Sequence, residues 1–516
     1  MIKEKLGLID IGSNTVRLVI IAIDQDHRYT ELQNIKTPAR LSLYLEEVDG
    51  QTIMNQAGIK KLIHVLKSFK AVALASQVDK LTPFATAAVR QSANQAEILA
   101  AIKDQVDLEI TILSEDQEAG YGQYAVLHTL DEADGLTVDI GGGSCEVTLY
   151  KDKKPLHSHS FPFGAVSLKN KFLQNKDHND KSGLKAIRDY VTDQFKSLDW
   201  LKKAEVPIIA MSGSARNVAS IHQNIIQYPI AGIHAYEMDQ AALDTVYQLL
   251  TTSSFDNLSS IDGLSSDRQD IILPALIVFM QLYQVSKADR FVFSNKGLRE
   301  GIILEHIAKS YPLPSDTNQI QGRAITAIGN QLIGKNPGNF IRSRYAIDLY
   351  QALCQVGSLS FDFKTQTMVE YAAFLYHFGA FISAEADSQH TFYLLSNMDL
   401  NGFNHKDRVK LALLASYKNK TRFKQYSQPF KDWFNEEQWQ EIQTLGGLLK
   451  FAEALNDSKT QPIKRLKLHQ VDKKSYRLDL YHDLPVVAEI YRTNRQIKHL
   501  ERSLGGQVTL NFIEIG

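Results

Sequence analysis

Cysteine is almost missing from this chain: Cys145 and Cys354 are its two copies in 516 residues. One follows a glycine-rich turn and the other falls in a segment with helical spacing. A structural disulfide is therefore not expected, and a reducing cytoplasm fits. An excess of charge of one sign is missing as well. Lys and Arg number 57 against 58 Asp and Glu, a formal net charge of -1. Such a balance gives no general pull toward nucleic acid or a membrane surface, so a polyanion would have to be met by a local patch. Long hydrophobic runs are also lacking. Asp10 interrupts the only apolar stretch near the N-terminus, so no signal peptide is expected. The run Ile271 to Met280 is too short to span a bilayer and contains Pro274. These absences describe a soluble, cytoplasmic chain with neither nucleic acid nor membrane as partner. Its length exceeds what one core supports and points to roughly three or four domains.

What is present is a repeated motif. Gly7-Leu8-Ile9-Asp10-Ile11-Gly12-Ser13-Asn14-Thr15 reads like Leu136-Thr137-Val138-Asp139-Ile140-Gly141-Gly142-Gly143-Ser144. Each is a short apolar run ending in Asp, then Gly and a hydroxyl residue. This is the pattern of a buried strand that carries a carboxylate into a tight turn, where glycines let backbone amides close on an anion. A lone Asp at a strand end is better explained as a cap of the adjoining turn. Duplication in matching context favours a phosphate clamp. Glu146 lies just beyond the second turn, close enough to share a cation with Asp139, and paired carboxylates suit Mg²⁺. Ser13, Asn14 and Ser144 can donate hydrogen bonds to phosphate oxygens. Arg17, in an otherwise apolar stretch, needs an anion, which could be a ligand or an internal salt bridge. Arg90 follows the strand-like segment Phe84-Ala85-Thr86 and could clamp a phosphoryl group, although a lone arginine there is more often a surface residue. Glu118 sits in the first turns of a helix. Its charge can serve the helix dipole or orient an attacking water, and spacing does not choose between them.

Strands and helices alternate through the first half. Ile9 to Ile23 fits two adjacent strands, Ile59 to Phe69 an amphipathic helix, Leu81 to Thr86 a strand, Ala96 to Ile102 a helix and Ile110 to Leu113 a strand. Ser114 and Gln117 form a capping box for the next helix. Glu146 to Tyr150 and Ile208 to Ala210 are further strands. The duplication predicts two similar α/β domains around a cleft. Tyr311 to Asp316 is a stiff linker, the region up to Leu455 is helical, and alternation returns in Tyr476 to Leu480, followed by a helix and a strand at Val508 to Ile513. The predicted domains are 1–126, 127–311, 312–460 and 461–516.

These segments, in this order, resemble the exopolyphosphatase/guanosine pentaphosphate phosphatase (Ppx/GppA) family of the actin-like phosphotransferase superfamily. The resemblance spans most of the chain. It also takes in Phe161 to Val166, Gly213 to Arg216, Gly263-Leu264 with Arg268, and Gly297-Leu298-Arg299-Glu300-Gly301. It implies two actin-like (ribonuclease H-like) α/β domains, then an all-α HD-like domain and a small α+β C-terminal domain. Carried over residue by residue, Glu118 is the water-activating base and Arg90 binds the terminal phosphate. Asp139 and Glu146 hold a catalytic Mg²⁺, with Mn²⁺ as its substitute. Asp10, Gly12, Ser13, Asn14, Arg17, Gly141, Gly142, Gly143, Ser144 and Arg268 surround the phosphates. Three positions depart from the family pattern: Cys145 stands for Thr or Ser, Ser167 for Arg, and Ser212-Gly213 for a glycine pair.

The helical region resembles the degenerate HD-type domain of the long members. A metal-dependent HD site needs a His-Asp pair where this chain has Tyr376-His377, and an Asp where it has Asn456. His377 and His390, read as neutral imidazoles without carboxylates, make a poor metal cage. In the tail, Lys464, Arg465 and Lys467 form a basic run, and Arg492, Arg495, Lys498 and Arg502 recur at helical spacing. They are either a solvated face or distal contacts for a long polyphosphate chain. The resemblance, which is nearest to exopolyphosphatase, implies a phosphoanhydride hydrolase acting on inorganic polyphosphate, as a homodimer. Hydrolysis of guanosine pentaphosphate (pppGpp) is the alternative, and a non-enzymatic polyphosphate-binding protein a more distant one. An actin-like ATPase or sugar kinase is disfavoured by Arg90 and Glu118.

Overall fold

Strands β1 (Ile2–Ile11) and β2 (Val16–Asp24) are apolar on both faces because both faces are covered. Side chains alternate between two cores. Ile9, Ile11, Val16, Leu18 and Ile20 join one, while Leu6, Leu8, Val19, Ile21 and Ile23 join the other. The computed structural model that shows this describes residues 2–332 and 337–515.

β3 (Tyr29–Thr37) pairs antiparallel with β2, and a separate hairpin comes next, β4 (Leu45–Val48) with β5 (Gln51–Met54). β6 (Lys80–Ala85) and β7 (Thr111–Ile112) then extend the first sheet in parallel, in the order β3-β2-β1-β6-β7. The second sheet repeats the plan. β8 (Gly135–Ile140), β9 (Cys145–Lys151) and β10 (Lys154–Phe161) form an antiparallel meander, and β11 (Ile208–Ala210) joins β8 in parallel. β12 (Tyr236–Met238) and β13 (Phe291–Phe293) complete the order β10-β9-β8-β11-β13-β12. The duplication is therefore one of topology as well as of sequence. Both sheets lie in a unit formed by Met1–Tyr228 and Ile233–Thr317.

The second unit comprises Pro229–Gly232 and Asn318–Gly516. Helices from Thr317–Leu332 to Glu436–Ala454 precede a three-stranded sheet in the order β14 (Ile463–Asp472), β15 (Ser475–His482), β16 (Gln507–Glu514). The helix Val487–Leu504 makes the crossover between the parallel pair β15 and β16. β14 gives no strand signal in the sequence because it is an edge strand with only Ile463 buried. Its basic run reads as a charged segment, yet Lys467 is placed opposite Asp479 in the antiparallel register. Edge strand β3, almost wholly exposed, escapes the hydrophobic pattern for the same reason. Among the described residues no helix is long and apolar enough to cross a membrane.

Two helices of the first unit pack together beside the paired motifs. Glu115–Leu127 opens on the expected capping box: Ser114 accepts from the Gln117 amide at 3.1 Å and the Gln117 side chain from the Ser114 amide at 3.0 Å. Leu298–Ala308 packs against it at Gly301, where a Cβ would stand 2.0 Å from the Tyr121 carbonyl oxygen. Gly120, on the helix of Glu118, has open space around it. Gly301→Ala must push the helices apart and is expected to cost about 1–3 kcal/mol in a urea titration. Gly120→Ala is expected to stabilise by up to about 1 kcal/mol, as alanine does in an open helical position.

Candidate active site

Each repeated motif closes a hairpin in the same way. The Gly12 amide donates to the Thr15 carbonyl at 3.1 Å, and the Gly141 amide to the Ser144 carbonyl at 2.9 Å. The two turns meet, since a Cβ on Gly142 would stand 3.2 Å from the Cβ of Ser13. Behind the second turn lies Gly164, whose absent Cβ would fall 2.5 Å from the Gly142 carbonyl carbon and 2.6 Å from the Gly143 nitrogen. The amides of Ala165 and Val166 donate to the carbonyls of Gly141 and Gly142, each at 3.0 Å, and tie the turn to the helix Ala165–Phe172. Ser167 caps that helix by accepting from the Gly164 amide at 2.8 Å.

The strand register makes the two turns chemically unequal. Asp10 pairs with Arg17 across β1 and β2, whereas the equivalent Asp139 pairs with Glu146 across β8 and β9. Arg17 also donates to Asn34 at 2.9 Å, so its surroundings are supplied in part from within the protein.

Glu118 and Arg90 reach the same place from elsewhere. Arg90 donates through Nη1 to Glu118 at 2.9 Å and to the Leu113 carbonyl at 3.0 Å. Its Nε and Nη2 are buried without a hydrogen-bond partner, and Nη2 lies 3.7 Å from Glu115. The side chains of Arg90 and Glu118 are each 14% exposed, which argues against a surface arginine and a merely dipole-serving glutamate. Burial raises the Glu118 carboxyl, Arg90 opposes the rise, and the charges of Asp139 and Asp10 reinforce it. Burial likewise raises Glu146, with Glu118 and Asp139 adding to it and Ser144 and Ser160 offsetting it. Asp139 is pushed up to about 6 by burial and Asp10, against Arg268 and Arg299. Burial also raises Asp10, against Arg299 and Arg17.

Four carboxylates thus share one poorly solvated space: Asp10 raises the proton affinity of Glu118 and Asp139, and Glu118 and Asp139 raise that of Glu146. This donor set fits a hard divalent cation. Among the described residues no three His, Cys, Asp or Glu side chains converge on one metal position. A cation there would be held by one or two carboxylates, its shell completed by waters and phosphate oxygens.

Arg268 lies over Gly213, where a Cβ would stand 2.7 Å from its Nη2, and its Nη1 is 3.4 Å from the Ser214 hydroxyl. Beside it, Asp267 bridges to Lys36 of β3 at 2.5 Å. Ser212, in place of a family glycine, carries a φ of 88°, in the region that favours glycine. Cys145 is fully buried in the core of its sheet. Arg299 is a site residue to which the sequence motif alone assigns no role. Its Nε lies 3.7 Å from Asp10, and its Nη1 is buried without a partner. The Gly297-Leu298-Arg299-Glu300-Gly301 segment carries the available signal: Glu300 is used to cap the helix at 3.0 Å, which leaves Arg299 as its free charge.

The remaining predicted residues lie in the second unit. Lys464, Arg465 and Lys467 are on β14, where Lys464 pairs with Asp483 at 3.2 Å and Arg465 stacks over Tyr481. Arg492, Arg495, Lys498 and Arg502 are carried on the helix Val487–Leu504. The reading of His377 as neutral and without carboxylates needs correction. Its Nδ1 lies 2.5 Å from Asp387 and its Nε2 3.5 Å from Glu453. Burial would lower the imidazole, but these carboxylates outweigh it and raise its pKa. They are distant in sequence, on other helices, so the local motif does not reveal them. Asn456 accepts from the Gln461 amide at 2.9 Å.

Two glycine turns closed on each other, ringed by arginines and carboxylates and carried on a duplicated α/β plan, define a phosphoryl-handling protein. The chain belongs to the Ppx/GppA phosphatase family: the family profile matches residues 19–310, and that of Ppx/GppA phosphatase domain III matches 343–498. Exopolyphosphatase 1 of Mycobacterium tuberculosis is 25% identical over 350 residues, 66% of this chain and 98% of the relative. A guanosine-5'-triphosphate,3'-diphosphate pyrophosphatase of Pseudoalteromonas atlantica is 22% identical over 429 residues, 80% of this chain and 79% of the relative. A bifunctional 3-dehydroquinate synthase/phosphatase of Fusobacterium nucleatum is 26% identical over 308 residues, 58% of this chain; the match spans 46% of that relative's length. In fold, the crystal structure of the Aquifex aeolicus family member superposes with a TM-score of 0.51 at 24% identity, covering 60% of this chain and 99% of that one. An exopolyphosphatase from Cytophaga hutchinsonii gives 0.54 at 21% identity, with 59% and 98% covered.

This geometry can be tested through stability. A carboxyl whose folded pKa is raised weighs against folding once pH passes its unfolded value, 4.5 for Glu146, and most above the raised one. In EDTA, Glu146→Gln is therefore expected to raise the melting temperature clearly at about pH 8.5 and little at about pH 4. Ser212→Gly, which removes the strain at a φ of 88°, is expected to add about 1 kcal/mol to the unfolding free energy in a denaturant titration.

Proposed function

We propose that this chain is an exopolyphosphatase, which releases the terminal orthophosphate of inorganic polyphosphate by attack of water. The observation that carries the reading is the Arg90–Glu118 contact of 2.9 Å, with Arg90 keeping Nε and Nη2 unbonded beside the paired turns. Arg90 would grip the terminal phosphoryl group through those two donors. Amides and hydroxyls of Gly12, Ser13, Asn14, Gly141, Gly142, Gly143 and Ser144 would take the remaining oxygens, with Arg17 and Arg268 facing the next phosphate. Glu118, its carboxyl raised toward the neutral range by burial, would accept a proton from water as the water oxygen bonds to phosphorus. The P–O bond to the penultimate phosphate breaks, and the shortened chain leaves as the anion. Asp139 and Glu146 would hold Mg²⁺, or Mn²⁺ in its place, which supplies positive charge to the phosphoryl oxygens. Catalysis of this kind is mainly positioning and electrostatics.

The same catalytic set serves guanosine pentaphosphate, and the match to the Pseudoalteromonas atlantica pyrophosphatase over 80% of the chain favours keeping that second reading. The reading includes two actin-like halves in 1–311, an HD-like domain in 312–460 and a small α+β domain in 461–516. It also includes a homodimer in the cytoplasm, which rests on the family resemblance. The basic residues of β14 and of the helix Val487–Leu504 are its candidates for distal polyphosphate contacts.

Glu118→Gln is expected to lower orthophosphate release from long-chain polyphosphate by at least about 100-fold, while filter binding of the chain is retained. Full activity in that variant would remove Glu118 as the base. Measured side by side, specific activity on polyphosphate is expected to exceed that on guanosine pentaphosphate; the reverse order would select the nucleotide.

A further inference from the structure

The second unit encloses a cavity of about 300 Å³, the size of a small-molecule site. Its wall comes from the ends of several helices and includes Lys418, Lys450, Arg492 and Gln496. Three carboxylates also face it, and each is already engaged. Asp387 takes His377 at 2.5 Å and Lys418 at 3.6 Å. Asp457 takes Arg492 at 3.0 Å. Glu453 is bound by Arg342 and by Lys459 at 2.7 Å, with His377 at 3.5 Å. Lys450 is the lining cation left over. Its Nζ donates to the Lys418 carbonyl at 2.5 Å and has no carboxylate partner among the described residues.

The surroundings of Lys450 are positive. Burial lowers its ammonium, and the charges of Lys498, Arg492 and Lys418 lower it further. The neighbouring His499 shows the same field: burial first, then Lys450, Arg502 and Lys498, push its imidazole down to about 4. Both of its ring nitrogens are buried without a partner. A cation in such a place lacks its anion. On the helix Val487–Leu504, the Oε1 of the lining residue Gln496 is buried and accepts no hydrogen bond, and an orphaned acceptor of this kind costs about 1–3 kcal/mol. The cavity therefore leaves a positive group without an anion and an acceptor without a donor.

We propose that this cavity binds a small phosphomonoester bearing a hydroxyl or amino group, a sugar phosphate or mononucleotide, with its phosphate on Lys450 and its donor on Gln496. The site is separate from the Arg90–Glu118 centre, and its assignment does not depend on what that centre hydrolyses.

The test is calorimetric titration of the full-length protein in EDTA with ribose 5-phosphate, AMP and inorganic phosphate. At least one of the two organic phosphates is expected to bind at one site per chain, more tightly than inorganic phosphate. Lys450→Met should weaken that binding by about tenfold or more, while Arg90→Ala leaves it unchanged. Gln496→Leu, which changes no charge, should weaken the organic phosphate and spare inorganic phosphate. Rates of orthophosphate release by Lys450→Met and Gln496→Leu near the wild-type value would show that both variants are folded. Three results would overturn the proposal: no organic phosphate bound at millimolar concentration, binding abolished by Arg90→Ala, or binding indifferent to both Lys450→Met and Gln496→Leu. Failure of the wild-type protein to release orthophosphate from polyphosphate or guanosine pentaphosphate would sink the proposed function and leave this site untouched.

Discussion

Closing two glycine turns on each other forces like charges together, and the rest of the first unit is arranged around that constraint. Asp10 and Asp139 stand at the same point of two equivalent hairpins, and the turns touch at Ser13 and Gly142. Coulomb repulsion in a space with little water is far stronger than at a surface. The protein answers it unequally. Beside Asp10 it sets Arg17 across the ladder and Arg299 at 3.7 Å. Beside Asp139 it sets Glu146, adding to the negative charge. Asp139 is met instead by the charges of Arg268 and Arg299, and its carboxyl stays raised to about 6. The two halves share a frame and differ at this cross-strand position, which holds Arg17 in one and Glu146 in the other.

The second unit shows the opposite treatment of the same chemistry. Burial would raise the Glu453 carboxyl, but hydrogen bonding to His377 and the charges of Arg342, His377 and Lys459 hold it well below the usual carboxylate range. His377 is raised in the same exchange. A histidine whose second proton is held more tightly gives a lone pair to a metal less readily. The cluster is an ion network that fixes the helices around it, whereas the carboxylates of the first unit remain raised.

Much of the first unit is legible in the sequence because its signals are local. A buried strand, a glycine turn and a capping box are each contained in a few consecutive residues, and Ser114 with Gln117 reads directly as it stands. The edge strands β3 and β14 are not legible, because strands with one paired side and exposed side chains lack the hydrophobic pattern that betrays a central strand. The partners of His377 are hidden for another reason: Asp387 and Glu453 come from separate helices, and only tertiary packing brings them to it. Arg299 is visible as a residue but not as a neighbour of Asp10, since nearly the whole first unit separates them in sequence.

The contact of Gly301 with Tyr121 has a mechanical meaning. Glu118 stands near the start of one helix and Arg299 near the start of the other, and the missing Cβ lets their backbones touch. The two side chains are thus mounted on a common block, although they come from distant parts of the sequence. The spacing of the Glu118 carboxylate and the guanidinium beside Asp10 is thereby set by direct backbone contact when the chain folds.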